Sequence, residues 1–146
     1  MNPLELSFDV TAAWDTGQAL TQSAWIFLPD TASPLGILCG LSGGTYDKHY
    51  WHLDVPGHPG YSFAEHLAAR GFIVIAVDHL GVGESSRPAD PEEVRLARVA
   101  CADAAVVEQI RQRSAAGTLH PDLPARDSLP LIGIGHARRR RRLRAS

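Results

Sequence analysis

The sequence has few cysteines, no long apolar run and no leader-like start. Cys39 and Cys101 stand far apart in apolar segments and form no CxxC pair, so we expect two free, buried thiols rather than a disulfide framework. No apolar run approaches the roughly 18 residues that a membrane-spanning helix needs. The first ten residues contain neither a basic segment nor an apolar one, so no signal peptide is expected. These absences together predict a cytoplasmic protein that contacts no membrane.

The charge is distributed very unevenly along the chain. Of the 146 residues, 16 are acidic and 14 are basic, but six of the basic residues are arginines between positions 138 and 144. All 16 acidic residues and the other eight basic residues lie in residues 1–137, which therefore have a net charge of −8. We therefore divide the chain into one domain, residues 1–137, and an arginine-rich tail, residues 138–146, which we expect to be disordered and foreign to the fold.

Apolar patterning predicts five strands. Residues 4–10 and 21–29 alternate apolar and polar side chains, which indicates two half-exposed strands that pair as a hairpin. Residues 35–40, 72–77 and 129–135 are short continuous apolar runs, which are typical of parallel strands buried on both faces.

Two helices are predicted between these parallel strands. Ser62 and Glu65 form a capping box for the first, which ends at Gly71. Asp90 and Pro91 have the spacing of a helix start for the second. Apolar residues at helical spacing predict its buried face: Leu96, Val99, Ala102, Val106 and Ile110. The fold class is therefore α/β, a three-layer α/β/α arrangement with N-terminal antiparallel strands and parallel strands joined by crossover helices.

A glycine-rich loop, "DHLGVGESSRP", follows the strand at residues 72–77 directly. Gly81 and Gly83 permit backbone angles that a Cβ would forbid, and Asp78 can bind backbone amides to fix the turn, with Ser85 nearby. An ordinary strand-to-helix loop is one alternative interpretation. A dinucleotide-binding loop is another, but it needs glycine or alanine where Ser86 stands.

Two further motifs follow the other parallel strands. The segment "LCGLSGG" comes after residues 35–38, and "GIGHA" ends the strand at residues 129–135. With the three motifs in this order, the chain resembles the N-terminal half of an α/β-hydrolase, from about Leu4 to His136. The resemblance implies an incomplete α/β-hydrolase sheet.

The resemblance assigns an oxyanion-hole loop to the segment after the first parallel strand. Leu41 would direct its backbone N–H at the developing oxyanion, while Ser42, Gly43 and Gly44 would keep the loop open for substrate. Cys39 and Gly40 stand where the family often has His-Gly, so the match is partial.

The resemblance also assigns the beginning of a G-x-S-x-G nucleophile elbow to the last strand. Gly135 would be its first glycine and His136 the residue before the nucleophile, but Ala137 stands at the nucleophile position and Arg139 at the second glycine. A methyl group cannot attack a carbonyl. The chain is therefore predicted to be catalytically incomplete, although the parent enzyme is expected to hydrolyse a carboxylic ester or related acyl substrate without a cofactor. The identity of its nucleophile, Ser or Asp, stays open.

The residue spacings do not match a zinc site or a second dinucleotide-binding loop. His49, His52 and His58 share one loop with nearby aspartates, but their spacings match no recognised zinc site, so no metal is expected. A dinucleotide fingerprint beginning at Gly133 would need glycine or alanine where Arg138 stands.

The arginine run admits two explanations. A non-enzymatic protein could use it to bind nucleic acid or another acidic surface, with strong salt dependence. The run begins at the end of a core strand, however, and the acidic domain would repel phosphate. We therefore interpret it as translation in a shifted reading frame that starts near the codon for Ala137, and expect no specific nucleic-acid partner. The last strand would then be left as an apolar edge, so aggregation is expected, while the oligomeric state stays open.

Overall fold

The computed structural model describes residues 2–44 and 46–136. Ala137 and the tail at 138–146, on which several predictions fall, lie outside the described residues. Within them the strands are β1 (Leu4–Asp9), β2 (Thr21–Phe27), β3 (Gly36–Leu41), β4 (Phe72–Val77) and β5 (Leu131–Gly135). The helices are α1 (Thr11–Trp14), α2 (Phe63–Ala68) and α3 (Leu96–Ala116). Two 3₁₀ turns are formed by Lys48–Trp51 and Pro91–Glu93.

The strands form one mixed sheet in the order β1-β2-β4-β3-β5. β1 pairs antiparallel with β2, and β2 pairs antiparallel with β4. β3 lies between β4 and β5 and is parallel to both. The predicted N-terminal hairpin and the three neighbouring parallel strands are thereby confirmed.

Successive side chains of β4 point to opposite faces of the sheet, and each face has its own hydrophobic cluster. Ile73 and Ile75 point to the face covered by α1 and α3, and Val74 points to the face covered by α2. The first cluster also contains Ala102, Val106 and Ile110 from α3, all fully buried. Helices on both faces of a central sheet make the predicted three-layer α/β/α arrangement.

The start of the long helix was predicted wrongly. Asp90 Oδ1 accepts a hydrogen bond from the Glu92 amide at 3.0 Å, but the turn that it caps is the 3₁₀ turn Pro91–Glu93. Arg95 then has extended backbone, so α3 begins at Leu96, whose side chain is 87% exposed. The capping residues satisfy one local turn, and a local turn does not fix where the next helix begins.

The two thiols were predicted to be buried, and this is wrong for one of them. Cys39 is buried in β3, whereas Cys101 is exposed on α3. Cys101 precedes Ala102 in the chain and so falls beside the buried stripe of α3 rather than on it.

β5 is an edge of the sheet in the described part of the chain, with β3 as its one neighbour. Its side chains are only half covered, and Ile132 is 45% exposed.

No helix in residues 2–44 and 46–136 is long and apolar enough to cross a membrane.

Candidate active site

The three sequence motifs meet where the parallel strands end. The His136 amide donates to the Leu41 carbonyl at 3.3 Å, which joins the end of β5 to the end of β3. A Cβ built on Gly43 would lie 3.1 Å from both the Nδ1 and the carbonyl oxygen of His136. His79, after β4, lies 2.6 Å from the Ser42 carbonyl. The carboxyl edge of a parallel sheet is where α/β proteins bind ligands, so these contacts define the candidate site.

Asp78 is the buried anchor of this edge. Its side chain is fully buried and accepts from the backbone amides of Lys48, at 2.6 Å, and Glu84, at 3.0 Å. The carboxylate therefore ties the loop after β3 to the loop after β4.

Lys48 compensates the charge of Asp78. Its side chain is 1% exposed, and its Nζ lies 2.8 Å from Asp78 Oδ2. The same ammonium donates to Ser23 Oγ at 3.3 Å and lies 4.9 Å from the centre of the Trp25 ring. A buried ammonium needs several acceptors, and the strand ends provide them.

The 3₁₀ turn that carries Lys48 also closes over the sheet. Trp51 is 7% exposed, and a Cβ added to Gly40 would lie 2.8 Å from its indole ring. Since real Cβ contacts do not reach that distance, Gly40 permits the indole to lie flat on the end of β3. Trp51 therefore fills the space above the strand.

The two glycines after β4 serve different needs: Gly83 leaves room for the Asp78 carboxylate, and Gly81 permits a backbone angle. Gly81 and Gly83 both have positive φ, 82° and 56°. A Cβ on Gly83 would overlap the Asp78 carboxylate, whereas one on Gly81 would meet no described atom within 4 Å. Ser85 completes the turn: its hydroxyl donates to the Asp78 carbonyl at 2.8 Å and accepts from the Ser23 amide at 2.9 Å.

A histidine–carboxylate pair lies beneath the loop after β3. His79 Nδ1 is 2.8 Å from Asp103 Oδ2, and Gln22 Nε2 donates to Asp103 Oδ1 at 3.0 Å. The hydrogen bond to Asp103 raises the pKa of His79, burial opposes this, and the bond to the Ser42 carbonyl raises it further. The pair is arranged to hold the backbone of Ser42, since the ring reaches its carbonyl and not its hydroxyl.

The sequence predictions missed this pair and Lys48. Asp103 carries a usable signal, because it lies within the buried stripe of α3, next to Ala102 and three residues before Val106, and is 8% exposed. A carboxylate at such a position needs a partner. The spacing of residues along the sequence does not indicate which side chain is the partner of Asp103.

The proposed oxyanion loop is held in part by hydrogen bonds to the residues that directly follow it. Ser42 Oγ donates to the Asp47 carbonyl at 2.7 Å, and the Tyr46 amide donates to the Gly43 carbonyl at 3.0 Å. Among the described residues, a Cβ at Gly44 would meet no atom within 4 Å. His136 stacks on Tyr50, with ring centroids 4.7 Å apart. Aromatic rings therefore border the loop where β5 ends.

The loop histidines do not come together. His49 lies 3.0 Å from Asp47, His52 bonds Ser62 Oγ at 2.7 Å, and the His58 amide donates to the Val55 carbonyl. Across residues 2–44 and 46–136, no group of three or more His, Cys, Asp or Glu side chains is arranged to hold a metal ion.

Solved structures of other proteins have a fold similar to that of this chain. No protein-family model and no curated protein sequence matches the chain. Among solved structures, it is similar to a thioesterase domain from the curacin biosynthetic pathway, with a TM-score of 0.61 and 18% identity over 93% of this chain and 36% of that one. It is also similar to a probable hydrolytic enzyme from Pseudomonas aeruginosa (TM-score 0.55, 23% identity, 90% of this chain and 33% of that one). An epoxide hydrolase from Vigna radiata is a third (TM-score 0.55, 13% identity, 74% of this chain and 27% of that one).

These solved structures share the α/β-hydrolase fold, and this chain has an incomplete version of it. The chain spans about a third of the length of the structures to which it is similar, between 27% and 36%.

Proposed function

We propose that this chain carries the oxyanion-loop side of an α/β-hydrolase active site, whose parent enzyme hydrolyses a carboxylic ester or related acyl substrate. The observation that carries the proposal is the contact between Gly43 and His136 at the carboxyl edge of the sheet. His136 directly precedes the position where the nucleophile is expected. A loop of glycines beside His136 is where donors for a developing oxyanion are needed.

The chemistry divides between two loops. In the parent enzyme a nucleophile after His136 attacks the acyl carbon, and the carbonyl oxygen becomes an oxyanion. Backbone amides of the Leu41–Gly44 segment then donate to it, and one such donor typically lowers the barrier by about 3–4 kcal/mol. The space that the described residues leave at Gly44 supports access of a small-molecule substrate to this side of the site.

An acyl substrate is preferred because the proposed donors serve a carbonyl oxygen. One of the similar structures is a thioesterase domain, and another is an epoxide hydrolase. The nucleophile, Ser or Asp, is expected at position 137, and its identity stays open.

We further propose that this chain is not itself a catalyst. Ala137 stands at the nucleophile position and provides no nucleophile. Catalytic triads act as a unit, so loss of the nucleophile alone removes nearly all of their rate advantage.

A fluorophosphonate probe and an ester-hydrolysis assay test this proposal together. We expect no covalent labelling and no hydrolysis above a buffer blank. Stoichiometric labelling at Ser42, Ser85 or Ser128 would mean that the nucleophile has been misplaced. Salt-dependent DNA binding together with absence of labelling would instead favour the arginine-tail binder.

A further inference from the structure

The contact between His79 and the loop after β3 depends on protonation. Nε2 of His79 lies 2.6 Å from the Ser42 carbonyl oxygen, and Nδ1 lies 2.8 Å from a carboxylate oxygen of Asp103. Both partners can only accept hydrogen bonds. Both contacts are therefore satisfied at once only by the imidazolium form, which donates from both ring nitrogens.

Loss of one proton affects the two contacts unequally. A carboxylate is a stronger acceptor than a carbonyl, so the remaining proton stays on Nδ1, facing Asp103. Nε2 of His79 then presents a lone pair to the lone pairs of the Ser42 carbonyl. Two acceptors at this distance repel each other, and the Leu41–Gly44 segment loses its contact with His79.

We propose that His79 is a positioning residue for the Leu41–Gly44 segment, and that it holds this segment through the Ser42 carbonyl only while both ring nitrogens carry a proton. The assignment of the segment as an oxyanion loop rests on the proposed function, whereas the contact does not. Because carbonyl and N–H of a trans peptide point in opposite directions, fixing the Ser42 carbonyl also fixes the direction of the Gly43 amide.

The groups around His79 favour the protonated form. Asp103 faces the ring from α3, and Asp78 precedes it at the end of β4, where its charge is compensated by Lys48. Cys39 lies on the neighbouring strand β3, and burial, assisted by Asp103, raises the pKa of its thiol to about 12. The thiol therefore stays neutral while His79 titrates.

A pH titration of the unmodified protein tests the proposal directly. NMR follows the imidazole signals of His79, while hydrogen exchange follows the Tyr46 amide, which donates to the Gly43 carbonyl. After correction for intrinsic exchange, we expect Tyr46 to lose about tenfold or more of its protection, with the same midpoint as His79. Constant protection through the His79 transition would overturn the proposal.

Variants separate this role from a merely structural one. The amide of His79→Gln can donate at every pH, so we expect it to flatten the pH profile of Tyr46. Asp103→Asn removes the charge that favours the imidazolium, so we expect both midpoints to move to lower pH. His120→Gln is the matched control, because His120 lies 3.8 Å from an exposed Asp122 and should leave the profile unchanged. A His79→Gln protein that keeps the original profile would contradict the proposal.

Failure of this proposal is distinguishable from failure of the proposed function. The titration uses no substrate and needs only the unmodified protein, so it gives a result even if a variant does not fold. Fluorophosphonate labelling at another serine would overturn the proposed function and leave the His79 contact standing.

Discussion

The Lys48 ammonium lies 2.8 Å from the Asp78 carboxylate, and both side chains are buried. Lys48 belongs to the 3₁₀ turn after β3, and Asp78 to the end of β4. Two distant segments are thus joined by a pair of opposite charges. A buried charge is tolerated when it is paired and hydrogen-bonded, and the Lys48 and Glu84 amides supply further bonds to Asp78.

Removal of Lys48 alone should therefore destabilise the fold strongly. Lys48→Met leaves a buried carboxylate without its counter-charge, and we expect a loss of about 3–5 kcal/mol in the free energy of unfolding. Urea denaturation measures this loss.

The control for Lys48 is Glu84→Gln, because the Glu84 carboxylate is 57% exposed and lies 3.5 Å from the ammonium. We expect it to cost less than about 1 kcal/mol. The double variant Lys48→Met with Asp78→Asn should recover part of the loss. Equal stability of Lys48→Met and Glu84→Gln would show that the pair is not buried as described.

The two glycines after β4 should respond differently to the same substitution. Gly81→Ala adds only backbone strain at positive φ, about 1–2 kcal/mol, because its Cβ has space. Gly83→Ala adds the same strain and also displaces the Asp78 carboxylate, so its loss should be clearly larger. Thermal or urea unfolding of both variants decides this, and the reverse order would refute the arrangement of the loop.

The stability of the fold should fall as the pH rises through the His79 transition. The pKa of His79 is raised in the folded state, chiefly by its hydrogen bond to Asp103. The imidazolium therefore stabilises the fold fully below the unfolded pKa of about 6.5, and this contribution disappears above the folded pKa. Urea denaturation at a series of pH values should show this decline, and His79→Gln should remove it. An unchanged decline in that variant would assign it to another group.

The exposed edge of β5 should make the chain associate. Ile132 is 45% exposed on a strand that has one described neighbour, and an unpaired strand edge is a template for another chain. We expect binding of hydrophobic dyes and concentration-dependent association by light scattering. Ile132→Lys should reduce both because it places a charge on the edge. A monomer with a sharp cooperative melt and well-dispersed amide signals would contradict this prediction.

The sheet could be predicted from the sequence because strand burial leaves a direct pattern. Residues 72–77 are apolar without interruption, and they form the strand whose two faces are both covered. The meeting of the three motifs could also be predicted. Each motif follows a parallel strand, and parallel strands end at the same edge of the sheet.

The polar contacts of the site could not be predicted in the same way. Lys48 lies in a loop without periodicity, and its partner Asp78 is 30 residues further along the chain. His79 and Asp103 are 24 residues apart and meet only because α3 covers the end of β4. Side-chain pairing between distant segments depends on tertiary packing, which local sequence does not encode.

The most direct test of the account is the coding DNA, read in all three frames beyond the codon for His136. The central claim is that the arginine run replaces a nucleophile elbow through a shift of reading frame near the codon for Ala137. We predict that another frame reads Ser-x-Gly directly after the Gly-His codons and then stays open for about as long again. An Asp or Glu codon, and later a His codon, should follow strand-like apolar runs in that frame. Stop codons at once in every alternative frame would contradict the claim, and the arginine tail would then be native to this protein.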